Sequence, residues 1–309
     1  FYATKAIDNG KGNITAYQIL ELAQRKSGDS EKAKHSLEVM ESQDPLNHFA
    51  RFEKFMLDES ESNKNDFTSM IRNEMPWESY LQLGIEYYEL GLLEECIEVL
   101  NLSPFHPEVN YWIAFAKKEN GEKDFESLLK DANNYSPKLV LPFRTASKEV
   151  LRWAITVTDH WKSKYYLGLV YWHAQQMDEA KRLFLACANT PDFAPFYAAR
   201  ANLIAGNQLT DLKKAASMNV NEWRYGKLLV NYYLENGNTL EAVNTARQYN
   251  IRLPKNYLIS MLLAKALLFD GQFEASGKIL ANTKILPYEG ATESRLLYRE
   301  AWLMQAAGD

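Results

Sequence analysis

Cysteine is scarce in this chain: there are two in 309 residues, Cys96 and Cys187, with no paired spacing and no metal-ligand neighbours. That excludes a disulfide-stapled scaffold and a zinc knuckle, and it fits a reducing, cytoplasmic setting. Long apolar runs are lacking too. The best candidate, Tyr257–Phe269, is interrupted by Lys265 and is shorter than the roughly 18 residues a membrane-spanning helix needs, so it reads as a buried helix. Excess positive charge is absent: the formal net charge is −5, and lysine and arginine are scattered rather than clustered. Such a surface does not neutralise phosphates, which argues against nucleic acid and anionic membrane as partners. Strand signals are nearly missing; the one short β-branched run, residues 138–141, is bracketed by Pro137 and Pro142 and reads as a loop.

Catalytic and cofactor signatures are also thin. The five histidines, His35, His48, His106, His160 and His173, include no i, i+4 pair of the zinc-helix kind. Neither a metal nor a cofactor is expected. Cys187 with His173 and Asp192 could be drawn as a nucleophilic set, but both cysteines fall at small, buried repeat positions and read as structural. Glu94-Glu95 and Asp178-Glu179 stand at helix starts, where acidic residues suit the helix dipole. Gly10-Lys11-Gly12 lacks phosphate-loop spacing. Asn13 and Asn101 open glycosylation-type tripeptides of a length that chance supplies. The chain begins at Phe1 with no charged-then-apolar leader and reads as a fragment of a longer protein.

What the chain has is periodicity. Hydrophobic residues make up 46% and charged residues 24%, a balance that folds. A tetratricopeptide unit pairs two antiparallel helices in about 34 residues, with large and small residues at fixed offsets. Counting Trp161 as position 1, Leu167, Gly168 and Tyr171 fall at positions 7, 8 and 11, and Ala180, Phe184 and Cys187 at 20, 24 and 27. From Trp77, Leu83, Gly84, Tyr87, Gly91, Cys96 and Leu100 take equivalent places; from Trp223, Leu229, Tyr233, Gly237, Ala242 and Pro254 do so. Units starting at Ile14 and Tyr257 follow the same pattern. Small residues are needed where the two helices of a unit approach closely.

These registers predict an all-α, tetratricopeptide-like α-α superhelix, a right-handed solenoid of about eight helical hairpins. The expected organisation is a flexible end at 1–13, N-terminal repeats over 14–141, an extra out-of-phase helix within 142–160, and C-terminal repeats over 161–309. A capping helix is expected at 294–305, the whole forming one continuous solenoid. Residues 46–75 keep Phe49, Phe52, Phe55 and Phe67 but lose the small-residue signature.

One stretch goes beyond the generic repeat. Trp161 with Tyr165-Tyr166, then Pro191-Asp192-Phe193-Ala194-Pro195-Phe196-Tyr197, then Arg200-Ala201, resembles the C-terminal repeat region of a bacterial family of unknown function. In that family a galactose-mutarotase-like β-sandwich precedes the tetratricopeptide repeats. The resemblance implies that any carbohydrate chemistry lies upstream of this chain, and it implies no activity for the repeats themselves.

The first helix of each unit is expected to line a concave groove. On the registers above that groove includes Tyr111, Phe115, Lys118, Lys162, Tyr165, Leu169, Trp172 and His173, and further along Phe196, Arg200, Arg224, Lys227 and Asn231. Aromatics interleaved with cations suit an extended peptide with acidic or aromatic side chains. The lysine and asparagine clamp of chaperone-binding repeats is not reproduced as a set; Lys227, Asn231 and Arg200 supply parts of it. The expected function is therefore a non-catalytic scaffold that binds a protein or peptide, or that docks another domain of its own longer chain. The alternative is an accessory region of a carbohydrate-active or carbohydrate-binding protein. A weaker variant uses Trp172 and Tyr165 as sugar-stacking platforms.

Overall fold

The computed structural model describes residues 2–10, 12–284, 299, 301–302, 304–305 and 307, and among them it contains eighteen α-helices and no strand. The expected capping helix at 294–305 lies for the most part outside the described residues. The chain divides into two compact units, Phe1–Gln176 and Met177–Asp309.

The first unit contains α1 (Tyr2–Asn9), α2 (Ile14–Lys26), α3 (Ser30–Gln43), α4 (His48–Leu57), α5 (Glu61–Met70), α6 (Pro76–Glu89), α7 (Leu93–Asn101), α8 (Pro107–Glu119), α9 (Glu126–Asn134), α10 (Ser147–Thr158) and α11 (Trp161–His173). Successive helices pack as hairpins, α2 on α3, α4 on α5, α6 on α7, α8 on α9 and α10 on α11. Residues 2–9, read from sequence as part of a flexible end, form α1, which packs on α2 without burying any side chain of its own.

Local chemistry sets the helix ends. The side chains of Asn13 and Asn47 accept hydrogen bonds from the Ala16 and Ala50 N–H groups at 3.0 and 2.9 Å, satisfying otherwise orphaned donors. Gly91 ends α6 with φ +74°, a left-handed conformation that lets the Leu92 N–H reach back to the Tyr87 carbonyl at 2.9 Å.

Where the small-residue signature holds, the two helices of a hairpin do close tightly. A Cβ on Gly84 would lie 2.7 Å from the Leu100 side chain. Where it is lost, aromatic rings pack between the helices instead. In α4 and α5, Phe52 packs on Phe67 at 5.4 Å and on Tyr87 at 5.5 Å, and Phe67 meets Tyr80 at 5.5 Å, edge to face. The α10 helix is tied to its neighbours by polar contacts: Trp112 Nε1 donates to Ser147 Oγ at 3.1 Å, and Arg152 Nε donates to the Tyr171 hydroxyl at 2.9 Å.

The second unit contains α12 (Met177–Ala186), α13 (Ala194–Leu203), α14 (Gln208–Met218), α15 (Trp223–Glu235), α16 (Thr239–Arg252), α17 (Tyr257–Phe269) and α18 (Phe273–Asn282). Its hairpins are α13 with α14, α15 with α16 and α17 with α18. Leu229, Val230, Tyr233, Ala242, Val243, Ala246 and Ile259 form a continuous core across α15, α16 and α17. The α15–α16 hairpin exchanges the usual sizes. Gly226 faces the large Tyr249, and a Cβ there would lie 2.7 Å from the ring. In the last hairpin Ser276 occupies the small position of α18 and donates its hydroxyl to the Ala264 carbonyl at 2.9 Å.

Candidate ligand groove

Between the first helices α15 and α17 of the second unit lies a cavity of about 500 Å3, lined by Trp223, Lys227, Asn231, Leu258, Met261, Leu262, Lys265 and Trp302. Its position follows from helix geometry. Trp223, Lys227 and Asn231 are spaced i, i+4, i+8 and project from one stripe of α15. Leu258, Met261, Leu262 and Lys265 form the facing stripe of α17. Lys227 is exposed and Asn231 half-buried. No acidic side chain lines the cavity among the described residues. Two ammonium groups, a carboxamide and a wall of tryptophan, leucine and methionine are therefore presented together. Beside this groove, Arg224 pairs with Glu222 at 3.0 Å and lies over the Trp223 ring, 5.1 Å from its centre.

A smaller cavity of about 360 Å3 in the first unit is lined by Leu169, Trp172 and His173 together with Leu141, Pro142, Phe143 and Gln175. His173 is exposed there and meets Phe143 edge to face at 5.7 Å.

Other residues expected in the groove are interior. Tyr111 is 1% exposed and donates its hydroxyl to Asn133 Oδ1 at 2.6 Å. Phe115 is buried against Tyr88 and Trp153, at 5.8 and 5.5 Å. Tyr165 is buried and packs beside Tyr166 at 5.7 Å. Lys162 is buried, its ammonium donating to the Asn133 carbonyl at 2.7 Å and to the Tyr135 carbonyl. Phe196 is fully buried and stacks on Phe184 at 5.4 Å. Arg200 is 8% exposed and grips Asp211 with Nε at 2.8 Å and Nη2 at 2.7 Å. Lys118 is exposed and paired with its neighbour Glu119. For Tyr111, Phe115, Tyr165, Phe196 and Arg200 the expectation of an open groove wall is thus corrected. Large rings and a paired guanidinium at these positions fill space between helices.

The repeat registers do not mark Trp223, Leu258, Met261, Leu262, Lys265 or Trp302 as groove residues. Lys265 did carry a signal, as the one charge in the otherwise apolar Tyr257–Phe269. Neither cysteine offers a reactive thiol: Cys96 is fully buried, which pushes its thiol up to about 12, and Cys187 is buried with its sulfur 3.3 Å from the Leu183 carbonyl. Among the described residues, no group of three potential ligands is placed to hold a metal ion, and no helix is long and apolar enough to cross a membrane.

The geometry defines a helical-hairpin repeat fold of the tetratricopeptide type. No protein-family model matches the chain, and no curated protein matches it. Among solved structures, the chain is similar to PilF of Pseudomonas aeruginosa, with 14% identity, 72% of this chain and 97% of that one covered, and a TM-score of 0.40. It is also similar to yeast Tom70, with 12% identity, coverages of 98% and 84%, and a TM-score of 0.40. A third is YrrB, described as a tetratricopeptide protein with an unusual peptide-binding site, with 13% identity, coverages of 73% and 96%, and a TM-score of 0.25. At these values the likenesses carry no argument about ligands, and the fold is read from the chain's own hairpins.

Proposed function

We propose that this chain is a non-catalytic scaffold that binds a protein segment in the α15–α17 groove. The observation that supports the reading is the lining of that cavity, where Lys227, Asn231 and Lys265 stand among Trp223, Met261 and Trp302 with no acidic residue among the described lining. A segment that places a carboxylate beside a large apolar side chain satisfies both halves of this lining. The cations receive the charge, and the tryptophans and aliphatics receive the apolar surface.

The test is a binding titration of the whole chain with a blocked peptide, acetyl-Ser-Glu-Leu-Trp-Glu-Ser-Gly-amide, and with its Gln-for-Glu counterpart. The Lys227→Ala/Lys265→Ala variant weakens binding of the acidic peptide about tenfold, roughly 1.4 kcal/mol, and leaves the neutral peptide nearly unchanged. Equal affinity of the variant and the parent chain for the acidic peptide overturns the assignment of this groove.

A further inference from the structure

The first unit carries a second cavity of opposite charge in the corresponding place, along the first helices α2, α4 and α6. It has a volume of about 460 Å3, and its polar lining includes Asp44, His48, Glu78, Gln82, Glu86 and Arg144. Of its three carboxylates one is neutralised: Glu78 pairs with the Arg144 guanidinium. The other two have no cationic partner among the described residues. Asp44 Oδ1 accepts only the Leu46 N–H at 3.1 Å, and its Oδ2 accepts from Asn47 Nδ2 at 3.4 Å. Glu86 Oε1 accepts from Gln82 Nε2 at 3.0 Å. His48 adds no compensating charge at neutral pH, because burial and the nearby Arg51 hold its imidazole below the ordinary range.

Two side chains of the cavity lining hold buried polar atoms whose hydrogen-bonding capacity is unspent. His48 Nδ1 and Arg144 Nη1 are both buried without a partner. Buried polar atoms without partners are uncommon in folded proteins, and a ligand is one of the ways they are satisfied. Here a donor, Arg144 Nη1, lines the same cavity as two carboxylates without a cationic partner. Acidic residues also outnumber basic ones over the whole first unit, so the local field and the field of the unit have the same sign.

We infer that this α2–α4–α6 cavity binds a basic side chain, a lysine or arginine presented by an extended peptide segment. Asp44 and Glu86 receive the cation, and Arg144 Nη1 donates to a neighbouring backbone carbonyl of the same segment. The site lies wholly in the first unit and does not depend on the α15–α17 groove.

The test uses the whole chain and a fluorescein-labelled peptide, Gly-Ser-Leu-Arg-Leu-Arg-Leu-Ser-Gly-amide, read by anisotropy beside its Glu-for-Arg counterpart. The parent chain binds the arginine peptide in preference to the glutamate one. Asp44→Asn/Glu86→Gln weakens the arginine peptide about fivefold or more. A control variant, Glu59→Gln/Glu98→Gln, removes the same charge from exposed positions of the same unit and changes affinity less than about twofold. Thermal unfolding of both variants at the parental temperature establishes that they are folded. Lys227→Ala/Lys265→Ala leaves the arginine peptide unaffected, which separates this site from the groove proposed above. An equal loss in the site and control variants reduces the effect to net charge and overturns the inference. So does failure of the parent chain to prefer the arginine peptide.

Discussion

Arg25 holds the carboxylate of Glu53 with two donors, Nε at 2.5 Å and Nη2 at 3.2 Å, inside the first unit. The same Nη2 reaches Glu95 Oε1 at 2.9 Å, Lys26 pairs with Glu95, and the Tyr87 hydroxyl donates to Glu53 Oε1 at 2.6 Å. One guanidinium on α2 thus ties α4 to α7, and Tyr87 of α6 joins them through Glu53, at a site where the side chains of Glu53 and Glu95 are 0% and 1% exposed. Removing one member leaves the others charged and buried. Arg25→Ala is therefore expected to cost roughly 3–5 kcal/mol, measured as a lowered urea midpoint.

Beside this network Glu21 is fully buried, and burial together with the charge of Glu53 pushes its carboxyl up to about 9. The folded chain keeps a proton here that the unfolded chain releases above about pH 4.5. The resulting stability is complete below that pH and is lost as pH rises toward about 9. Glu108, pushed up to about 8 chiefly by burial, acts in the same direction. Glu21→Gln and Glu108→Gln each flatten the fall of stability between about pH 5 and pH 8, read from unfolding curves across that range. An unchanged slope contradicts the assignment.

Gly226 and Tyr249 are a matched pair. Gly226→Ala gains helix propensity of about 1 kcal/mol, but its new methyl would lie 2.7 Å from Cγ and Cδ2 of the buried Tyr249 ring. Overpacking of this kind costs roughly 1–3 kcal/mol, so the single variant is destabilised. In the Gly226→Ala/Tyr249→Leu double variant part of that loss returns, and a double-mutant cycle in thermal unfolding reads the coupling.

Much of the fold is legible from residue spacing. The Gly84–Leu100 and Ser276–Ala264 contacts are the close crossings that the repeat template asks for, and the α4–α5 hairpin was marked by its spaced phenylalanines. The site was less legible, for a physical reason. Periodicity gives the face of a helix on which a side chain lies but not what the next helix brings to meet it. Tyr111 was expected in the groove, yet its hydroxyl finds Asn133 on α9; Arg200 was expected there too, yet Asp211 on α14 takes its charge. Lys227 keeps its charge unpaired toward the groove because α17 brings only Leu258, Met261, Leu262 and another cation, Lys265, to face it, and that is visible only once α15 and α17 are side by side. Trp302 has no local sequence signal at all.

Arg200 supplies a sharp contrast between packing and binding. Its ion pair with Asp211 has both side chains nearly buried, 9% and 3% exposed. Arg200→Ala lowers stability by about 3 kcal/mol, yet at temperatures where the variant is folded it leaves affinity for the acidic peptide unchanged. Calorimetric titration of that peptide is the check.

The central claim, that the α15–α17 groove receives the partner segment, is tested most directly by photo-crosslinking. A photoreactive amino acid replaces Asn231 in the whole chain, and a biotinylated form of the acidic peptide is added. The same amino acid placed at the exposed Ser217 serves as the comparison. The account predicts an adduct from position 231 that excess unlabelled acidic peptide removes, and none from position 217. No adduct from position 231, or equal adducts from both, contradicts it.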